Sequence, residues 1–172
     1  MTIRTARPDE DWESLTLLIR SAYAYWAERN QKFVATTQDA EETRKRATSG
    51  TCFLAEIDGK IVGTLTVYPS DPEDYCPYYR NPQVAAFGQF AVDPACQGKG
   101  IGTKLIEAAE DYARATGHTE LALDTSENAQ ILIDYYNRLG FQVVGDMDWH
   151  STNYHSVVMS KVLTDEQRPL QI

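Results

Sequence analysis

The stretch Val92-Asp-Pro-Ala-Cys-Gln-Gly-Lys-Gly-Ile-Gly-Thr-Lys-Leu105 joins a predicted strand to a predicted helix through a turn that contains three glycines. Because Gly98, Gly100 and Gly102 lack a Cβ atom, the backbone can adopt positive φ values there and turn successive N–H groups toward one point. The helix that follows begins with unpaired N–H donors and the positive end of its dipole. The stretch therefore predicts a binding site for a phosphate-like anion.

The glycine spacing distinguishes among the known phosphate-binding turns. A dinucleotide-binding turn needs Gly-x-Gly-x-x-Gly, and Thr103 stands where the last glycine would be. A P-loop ends in Gly-Lys-Ser or Gly-Lys-Thr, and no glycine pair at the required distance is followed by either. The remaining pattern, Gln97-x-x-Gly100-x-Gly102, resembles the pyrophosphate-binding signature of the GNAT superfamily of N-acetyltransferases, which use it for coenzyme A. A plain tight turn before a helix stays open as the alternative.

A second segment, Asp134-Tyr-Tyr-Asn-Arg-Leu-Gly-Phe141, is similar to the Leu-Tyr-x-x-Leu-Gly-Phe segment of the same family. In that family the tyrosine four residues before the glycine faces the sulfur of the coenzyme, and this position is Tyr136. The family often has an asparagine seven residues before its tyrosine, and Asn128 has that spacing from Tyr135 instead. We therefore predict Tyr136 as the catalytic residue with Tyr135 as the reserve, and we expect at least one of the two rings to be a core aromatic.

Hydrophobic periodicity and turn signals divide the chain into strands and helices. The predicted order, β-α-α-β-β-β-α-β-α-β-β, gives an α/β fold with a mixed central sheet and helices on both faces, and it is similar to the GNAT fold from end to end. The predicted strands cover residues 2–7, 52–57, 61–68, 84–92, 121–125, 141–145 and 156–163. The predicted helices begin near Trp12, at a cap formed by Thr36 or Thr37, at the glycine turn and at residue 128, and residues 69–83 form a long loop.

Length, charge and cysteine content limit the kind of protein. The 172 residues suit one domain, predicted over residues 1–165 with a C-terminal tail at 166–172. A formal net charge of −9 argues against nucleic acid as a partner. No apolar run approaches the roughly 18 residues that cross a bilayer, and the N-terminus lacks a signal-peptide pattern, so we expect a cytoplasmic protein without membrane contact. The spacing of the three cysteines predicts free thiols and no metal site.

The resemblance implies acetyl-CoA as the cofactor and the transfer of its acetyl group to an amine. In the family the turn holds the pyrophosphate, the pantetheine arm pairs with the strand before the turn, and a main-chain N–H near Phe90 or Ala91 stabilises the oxyanion. Tyr136 then gives a proton to the departing thiolate. The implied coenzyme-binding residues are Phe90, Ala91, Val92, Gln97, Gly98, Lys99, Gly100, Ile101, Gly102 and Asn128.

Neither the general base nor the acceptor follows from the sequence alone. An alkyl amine with a pKa of about 10.4 must lose a proton before it attacks the thioester. Strand 84–92 contains no acid, so Glu56, Asp124 or a chain of water molecules could accept this proton. Carboxylates and aromatic rings attract a cationic amine. The candidates for such contacts are Asp71, Glu73, Asp74, Tyr75, Tyr78 and Tyr79 in the loop, with Tyr23, Trp26, Trp149 and Tyr154 as further walls.

The predicted activity is therefore N-acetylation of a primary amine on a small molecule or a protein. The alternative is a domain that binds acetyl-CoA without turnover, as a sensor or an assembly module, and the lack of an obvious base gives this alternative some weight. Dimers are common in the family, so a homodimer is compatible with the resemblance.

Overall fold

The computed structural model describes residues 1–163, so the predicted tail at 166–172 and the last two residues of the predicted domain lie outside the described residues. Within the described part, seven strands form one sheet in the order β1-β2-β3-β4-β5-β7-β6. All neighbouring strands are antiparallel except β4 and β5, which confirms the predicted mixed sheet. The strands are β1 Thr2–Thr5, β2 Thr51–Ile57, β3 Lys60–Tyr68, β4 Val84–Val92, β5 Glu120–Ser126, β6 Gln142–Asp148 and β7 His155–Val162.

Five α-helices accompany the sheet in the same part of the chain: α1 Trp12–Ala27, α2 Val34–Thr37, α3 Ala40–Thr48, α4 Ile101–Ala115 and α5 Gln130–Arg138. None of the helices within residues 1–163 combines the length and the apolar composition needed to span a bilayer.

The prediction that Thr36 or Thr37 caps a second long helix is wrong. Both threonines lie inside α2, which is a single turn. The longer helix α3 begins after Asp39, whose carboxylate accepts a hydrogen bond from the N–H of Glu42. A carboxylate at this position satisfies a free N–H and also interacts favourably with the helix dipole, which explains why the helix starts there.

Helices cover both faces of the sheet, as predicted. Successive side chains of a strand point to opposite faces. Phe53 of β2 joins a core that includes residues of α4 and α5, whereas the next residue, Leu54, joins a core that includes residues of α1 and α3. Both faces are therefore closed by apolar packing.

Strands β4 and β5 pair over three residues and then separate. Their parallel register runs from Val84 opposite Glu120 to Ala86 opposite Ala122, although both strands continue further. The separation leaves a cleft in the middle of the sheet, beyond Ala86 on one side and Ala122 on the other.

A β-bulge lies in the part of β4 that borders this cleft. From Gly88 to Ala91 strand β4 advances by three residues while its partner β3 advances by two. Gln89, inside the bulge, has a φ of 47°, in the left-handed region that a residue with a side chain seldom occupies. A bulge re-aims the backbone groups next to it, so the β4 backbone is disturbed at the point where it faces the cleft.

Two predicted segments differ in detail from the structure. The predicted loop 69–83 contains a 3₁₀ helix, Pro77–Arg80, and strand β6 extends three residues beyond its predicted end at residue 145. The extension includes Asp146 and Asp148, a residue type depleted in strands. Pairing with β7 overrides this preference, because Asp148 lies opposite His155 and accepts at 2.8 Å from its Nδ1.

Candidate functional site

A cavity of about 630 Å³ opens beside the glycine turn, bounded by the start of α4, the end of β4 and helices α1 and α5. We call it the glycine-turn cavity. Eight of the ten residues predicted to bind coenzyme line it, and Lys99 and Asn128 do not. Its lining residues are Ala22, Tyr23, Tyr25, Trp26, Phe90, Ala91, Val92, Cys96, Gln97, Gly98, Gly100, Ile101, Gly102, Thr103, Ile131, Leu132, Tyr135 and Arg138.

The turn itself has the conformation that its glycines predict. Gly98 and Gly100 have φ values of 74° and 78°, and a Cβ atom built on either one would meet no atom within 4 Å. Gly100 is the N-cap of α4, and no side chain caps this end of the helix. The free N–H groups of the first turn and the positive end of the helix dipole therefore favour an anion at the turn.

Gly102 allows the start of α4 to approach the rest of the site closely. A Cβ atom at this position would lie 2.9 Å from Cζ of Phe90 and 2.9 Å from the hydroxyl oxygen of Tyr135. The absence of a side chain at Gly102 thus brings the uncapped helix end, strand β4 and helix α5 together around one cavity.

The end of β4 forms one wall of the glycine-turn cavity. Phe90, Ala91 and Val92 line it, directly after the bulge at Gln89. The hydroxyl of Tyr23, on α1, donates a hydrogen bond of 3.0 Å to the carbonyl oxygen of Phe90. Because β4 has left β5 at this point, the wall combines apolar side chains with strand backbone that its parallel neighbour does not cover.

The two adjacent tyrosines of α5 occupy different surroundings. Tyr135 lines the glycine-turn cavity, and its ring stacks near that of Phe90 with centroids 6.4 Å apart. Tyr136 is 5% exposed and lies among the rings of Phe87 and Phe141, with centroids 6.1 and 6.0 Å away. Burial raises the pKa of Tyr136 well above its ordinary value of 10.0.

The two predicted binding residues that do not line the cavity are both exposed. Lys99 donates from Nζ to the carbonyl oxygen of Ala95, and Asn128 lies at the end of β5 with its backbone N–H bonded to the hydroxyl of Ser126. Arg138 was not predicted, yet it lines the cavity. Its spacing of three residues from Tyr135 on one helix face is the signal that would have identified it.

A second cavity of about 390 Å³ lies beside the earlier part of β4, from Ala86 to the bulge at Gln89. We call it the second cavity. Aromatic side chains from several elements and three charged side chains, Arg46, Asp74 and Asp124, line it. Its full lining is Phe33, Val34, Ala35, Arg46, Tyr68, Pro69, Asp74, Tyr79, Ala86, Phe87, Gly88, Gln89, Asp124, Trp149, Ser151, Thr152 and Tyr154.

Asp124 lies on β5 two residues beyond Ala122, the last residue that pairs with β4. Its carboxylate accepts hydrogen bonds from the hydroxyl of Tyr79 at 3.0 Å and from Nε1 of Trp149 at 2.8 Å. Loss of hydration in the cleft raises the pKa of Asp124 above its ordinary value of 3.8, and the two hydrogen bonds partly oppose this shift.

Of the two carboxylates considered as a general base, Asp124 borders the cleft and Glu56 does not. Glu56 lies on β2 next to the edge strand β1, and it accepts hydrogen bonds of 2.9 and 2.8 Å from Arg4. It lines neither cavity.

The predicted acceptor residues divide between the cavities and the surface. From the loop 69–83, Asp74 and Tyr79 line the second cavity, whereas Tyr78 donates to Glu120 at 2.6 Å and Asp71 and Glu73 are exposed. The exposed Tyr75 packs against Trp149 with centroids 5.7 Å apart. Of the other predicted walls, Trp149 and Tyr154 line the second cavity, and Tyr23 and Trp26 line the glycine-turn cavity.

The two cavities adjoin through a row of aromatic rings. The ring of Tyr23, in the glycine-turn cavity, lies 5.3 Å from that of Phe33, in the second cavity, and Phe33 lies 4.9 Å from Tyr154. Strand β4 borders both cavities, with Gly88 and Gln89 in one and Phe90 and Ala91 in the other. The two cavities are therefore neighbours along the same strand.

Comparison with known proteins matches residues 9–141 to the family described as the acetyltransferase (GNAT) family. The chain is 31% identical over 142 residues to S-(2-succino)cysteine N-acetyltransferase of Bacillus subtilis, covering 81% of this chain and 84% of that protein. It is 33% identical over 102 residues to human N-acetyltransferase 8B, covering 59% of this chain but less than half of that protein, 43%.

A solved structure shares the fold across the whole chain. The Salmonella typhimurium protein yncA, solved with its cofactor acetyl-CoA, superposes with a TM-score of 0.70 at 22% sequence identity, covering 100% of this chain and 99% of that one.

Proposed function

Since this chain belongs to the GNAT family of acetyltransferases and takes its acetyl group from acetyl-CoA, we propose that its acceptor is a primary amine of a small molecule. The observation that carries the proposal is the position of Asp124, a carboxylate in a small aromatic cavity that adjoins the glycine-turn cavity. A cavity of about 390 Å³ suits a ligand of modest size. The relative of similar length is named for acetylation of S-(2-succino)cysteine, which supports a small acceptor.

We propose that the glycine-turn cavity holds the coenzyme. We place the pyrophosphate at the N–H groups of Gln97, Gly98, Gly100, Ile101 and Gly102, where left-handed glycines and an uncapped helix end favour an anion. The pantetheine arm then lies along Phe90, Ala91 and Val92, the wall of β4 that its parallel neighbour leaves uncovered. Lys99 and Asn128 stay predictions without a place on the cavity wall.

When bound there, acetyl-CoA supplies an activated thioester whose acetyl group an amine can attack directly. Holding the thioester beside the acceptor turns a bimolecular encounter into a local step. The bulge at Gln89 supports the predicted role of a backbone N–H at Phe90 or Ala91, because it re-aims the strand where the two cavities meet.

We propose that Tyr136 gives a proton to the departing thiolate. Its ring lies 6.4 Å from that of Phe90, which lines the glycine-turn cavity, and its phenol is protonated at neutral pH and can donate a proton. Tyr135 is the weaker candidate, since its hydroxyl lies against Gly102 at the pyrophosphate end of the cavity.

We propose that Asp124 receives the acceptor and takes its proton. Its position beyond the last β4–β5 pair puts a carboxylate in the cleft, and the Tyr79 and Trp149 hydrogen bonds hold it in place. Its raised pKa makes it a better proton acceptor than an exposed aspartate, because a carboxylate with poorer hydration binds a proton more readily.

Release of free thiol from acetyl-CoA tests the proposal directly. The purified chain would be screened against amino acids, polyamines, aminoglycosides and lysine peptides, with Asp124→Asn as the matched inactive control. We expect release with one or more small amines. Release with lysine peptides alone would contradict a small-molecule acceptor, and release that is equal with and without every amine would contradict amine acetylation.

The sensor alternative raised by the sequence is not favoured, because the relatives are named as N-acetyltransferases. A cytoplasmic location and a homodimer stay predictions.

A further inference from the structure

The second cavity contains a cation that an acceptor with an amine alone does not explain. Arg46, on α3, is half-buried and lines the cavity. Its Nη1 donates at 2.7 Å to the side-chain oxygen of Gln38, which is a neutral partner. Among the ion pairs within residues 1–163, none includes Arg46. A half-buried guanidinium whose partner is neutral leaves part of its desolvation cost uncompensated.

A second polar group beside Arg46 is buried without a partner. The hydroxyl oxygen of Tyr68 has no hydrogen-bond partner among the described residues and is inaccessible to solvent. A Cβ atom built on Gly88 would lie 3.6 Å from Nη2 of Arg46 and 3.9 Å from this hydroxyl oxygen, so the two donors lie close together beside β4. Buried polar groups normally have partners, so an unpaired hydroxyl beside a cation whose partner is neutral indicates an acceptor that the protein itself does not provide.

The opposite charge lies in the same cavity. Asp124 and Asp74 line it together with Arg46, so a ligand there meets both a cation and carboxylates. The chain has a net charge of −9, so a positively charged side chain in a cavity is less expected than an acidic one. An N–H fork next to an O–H donor matches the two oxygens of a carboxylate.

We propose that the acceptor carries a carboxylate besides its amine, as an α-amino acid does, and that Arg46 and Tyr68 bind this carboxylate. The inference rests on the proposed function and narrows its acceptor class. Asp124 receives the amine and Arg46 the carboxylate, so the two ends of the acceptor are held by different elements, β5 and α3. The aromatic walls formed by Phe33, Trp149 and Tyr154 then face the rest of the acceptor.

The test compares three acceptors that share one apolar group: L-phenylalanine, L-phenylalaninamide and 2-phenylethylamine, with the same series built on methionine. Thiol release gives kcat and KM for each. A charge-assisted hydrogen-bond pair is worth about 1.5–3 kcal/mol, so we expect kcat/KM to be about tenfold to a hundredfold higher for the amino acid, mainly through KM. The variant Arg46→Gln should remove this preference, Tyr68→Phe should reduce it, and Arg44→Gln, at an exposed position of the same helix, should leave it unchanged.

A binding measurement separates recognition from turnover. With the protein saturated with coenzyme A, calorimetric titration of N-acetyl-L-phenylalanine should give a measurable Kd that weakens about tenfold or more in Arg46→Gln. Thermal unfolding of each variant checks that α3 remains folded.

Equal kcat/KM for the acid, the amide and the amine would overturn the carboxylate site while leaving amine acetylation intact. Turnover of polyamines or lysine peptides with none of the amino acids would do the same. Thiol release that no amine stimulates would instead overturn the proposed function, and the carboxylate site with it.

Discussion

Tyr135 and Tyr136 are consecutive residues whose ring centroids lie 5.4 Å apart at an interplanar angle of 61°, yet their side chains have different surroundings. Tyr135 lines the glycine-turn cavity and its hydroxyl lies against Gly102. Tyr136 is buried among aromatic rings at the other side of α5. Because neighbouring residues of a helix point about 100° apart, one helix can supply Tyr135 to the wall of the glycine-turn cavity and Tyr136 to the core.

Replacing Tyr136 with phenylalanine should lower kcat and leave coenzyme binding unchanged. A general acid typically contributes about 10²- to 10⁴-fold in rate, and the hydroxyl is needed as the C–S bond breaks. Steady-state kinetics with thiol detection gives kcat, and calorimetry with coenzyme A gives the Kd.

The matched control is Tyr135→Phe on the adjacent position of the same helix. It should change kcat much less, because its hydroxyl lies beside Gly102, where we propose that the pyrophosphate binds. A larger loss of kcat in Tyr135→Phe than in Tyr136→Phe would reverse the assignment of the acid.

Adding one methyl group at Gly102 should weaken coenzyme binding. In Gly102→Ala the new Cβ atom would lie 2.9 Å from both the ring of Phe90 and the hydroxyl of Tyr135, so one of the rings must move. Overpacking of this kind costs about 1–3 kcal/mol of folding stability. Because Phe90 and Tyr135 both line the glycine-turn cavity, the displaced ring should also weaken the Kd for coenzyme A, by about fivefold or more. Gly145→Ala is the control, since a Cβ atom there meets nothing within 4 Å. Equal affinity in both variants would contradict close packing at the helix start.

The parts of the site that depend on local backbone conformation were predictable from the sequence. Gly98 and Gly100 need left-handed backbone, and three glycines before an apolar helix are sufficient to indicate the turn. The same holds for the hairpin between β2 and β3, whose Asp58 and Gly59 both have positive φ.

The parts that depend on packing between distant segments were not predictable. Tyr23 reaches Phe90 across 67 positions of the sequence, and Arg46 reaches Gly88 from a separate helix. The choice of Asp124 over Glu56 as the general base depends on where β4 separates from β5, and no local sequence pattern indicates that point. The predicted N-cap of α3 was wrong for a related reason. Thr36, Thr37 and Asp39 are all residue types that cap helices well, and tertiary contacts decide which of them is used.

Catalysis should follow the ionisation of Asp124. A base acts in its ionised form, and the pKa of this carboxyl is raised above 3.8 by loss of hydration, so kcat/KM should rise with pH through this raised value. Asp124→Asn should lower kcat/KM by about 10²-fold or more and abolish that ascending limb. The measurement is a pH–rate profile with a constant acceptor.

The ionisation of Asp124, which should raise kcat/KM, should lower the folding stability. Because the folded-state pKa of Asp124 is raised, the protonated form is favoured by folding, and this contribution is present at low pH and lost as pH rises through the folded-state pKa. Asp124→Asn should therefore unfold at a temperature equal to or higher than the parent at pH 7. A marked loss of stability at pH 7 would indicate a structural role instead of a catalytic one.

The buried ion cluster around Glu110 should matter far more for stability than its exposed counterpart on the same helix. Glu110 is 7% exposed and accepts hydrogen bonds from Lys161 at 2.7 Å and from Arg114 at 3.3 Å, which ties α4 to strand β7. Glu110→Gln keeps the shape but leaves the poorly hydrated Lys161 without a carboxylate and Arg114 with only the exposed Asp111, so we expect a loss of about 3–5 kcal/mol in the free energy of unfolding. In Glu107→Gln the exposed pair with Lys104 is removed instead, and the loss should stay below about 1 kcal/mol. Urea unfolding of the two variants gives both values, and similar losses would show that burial does not decide the strength of the Glu110 cluster.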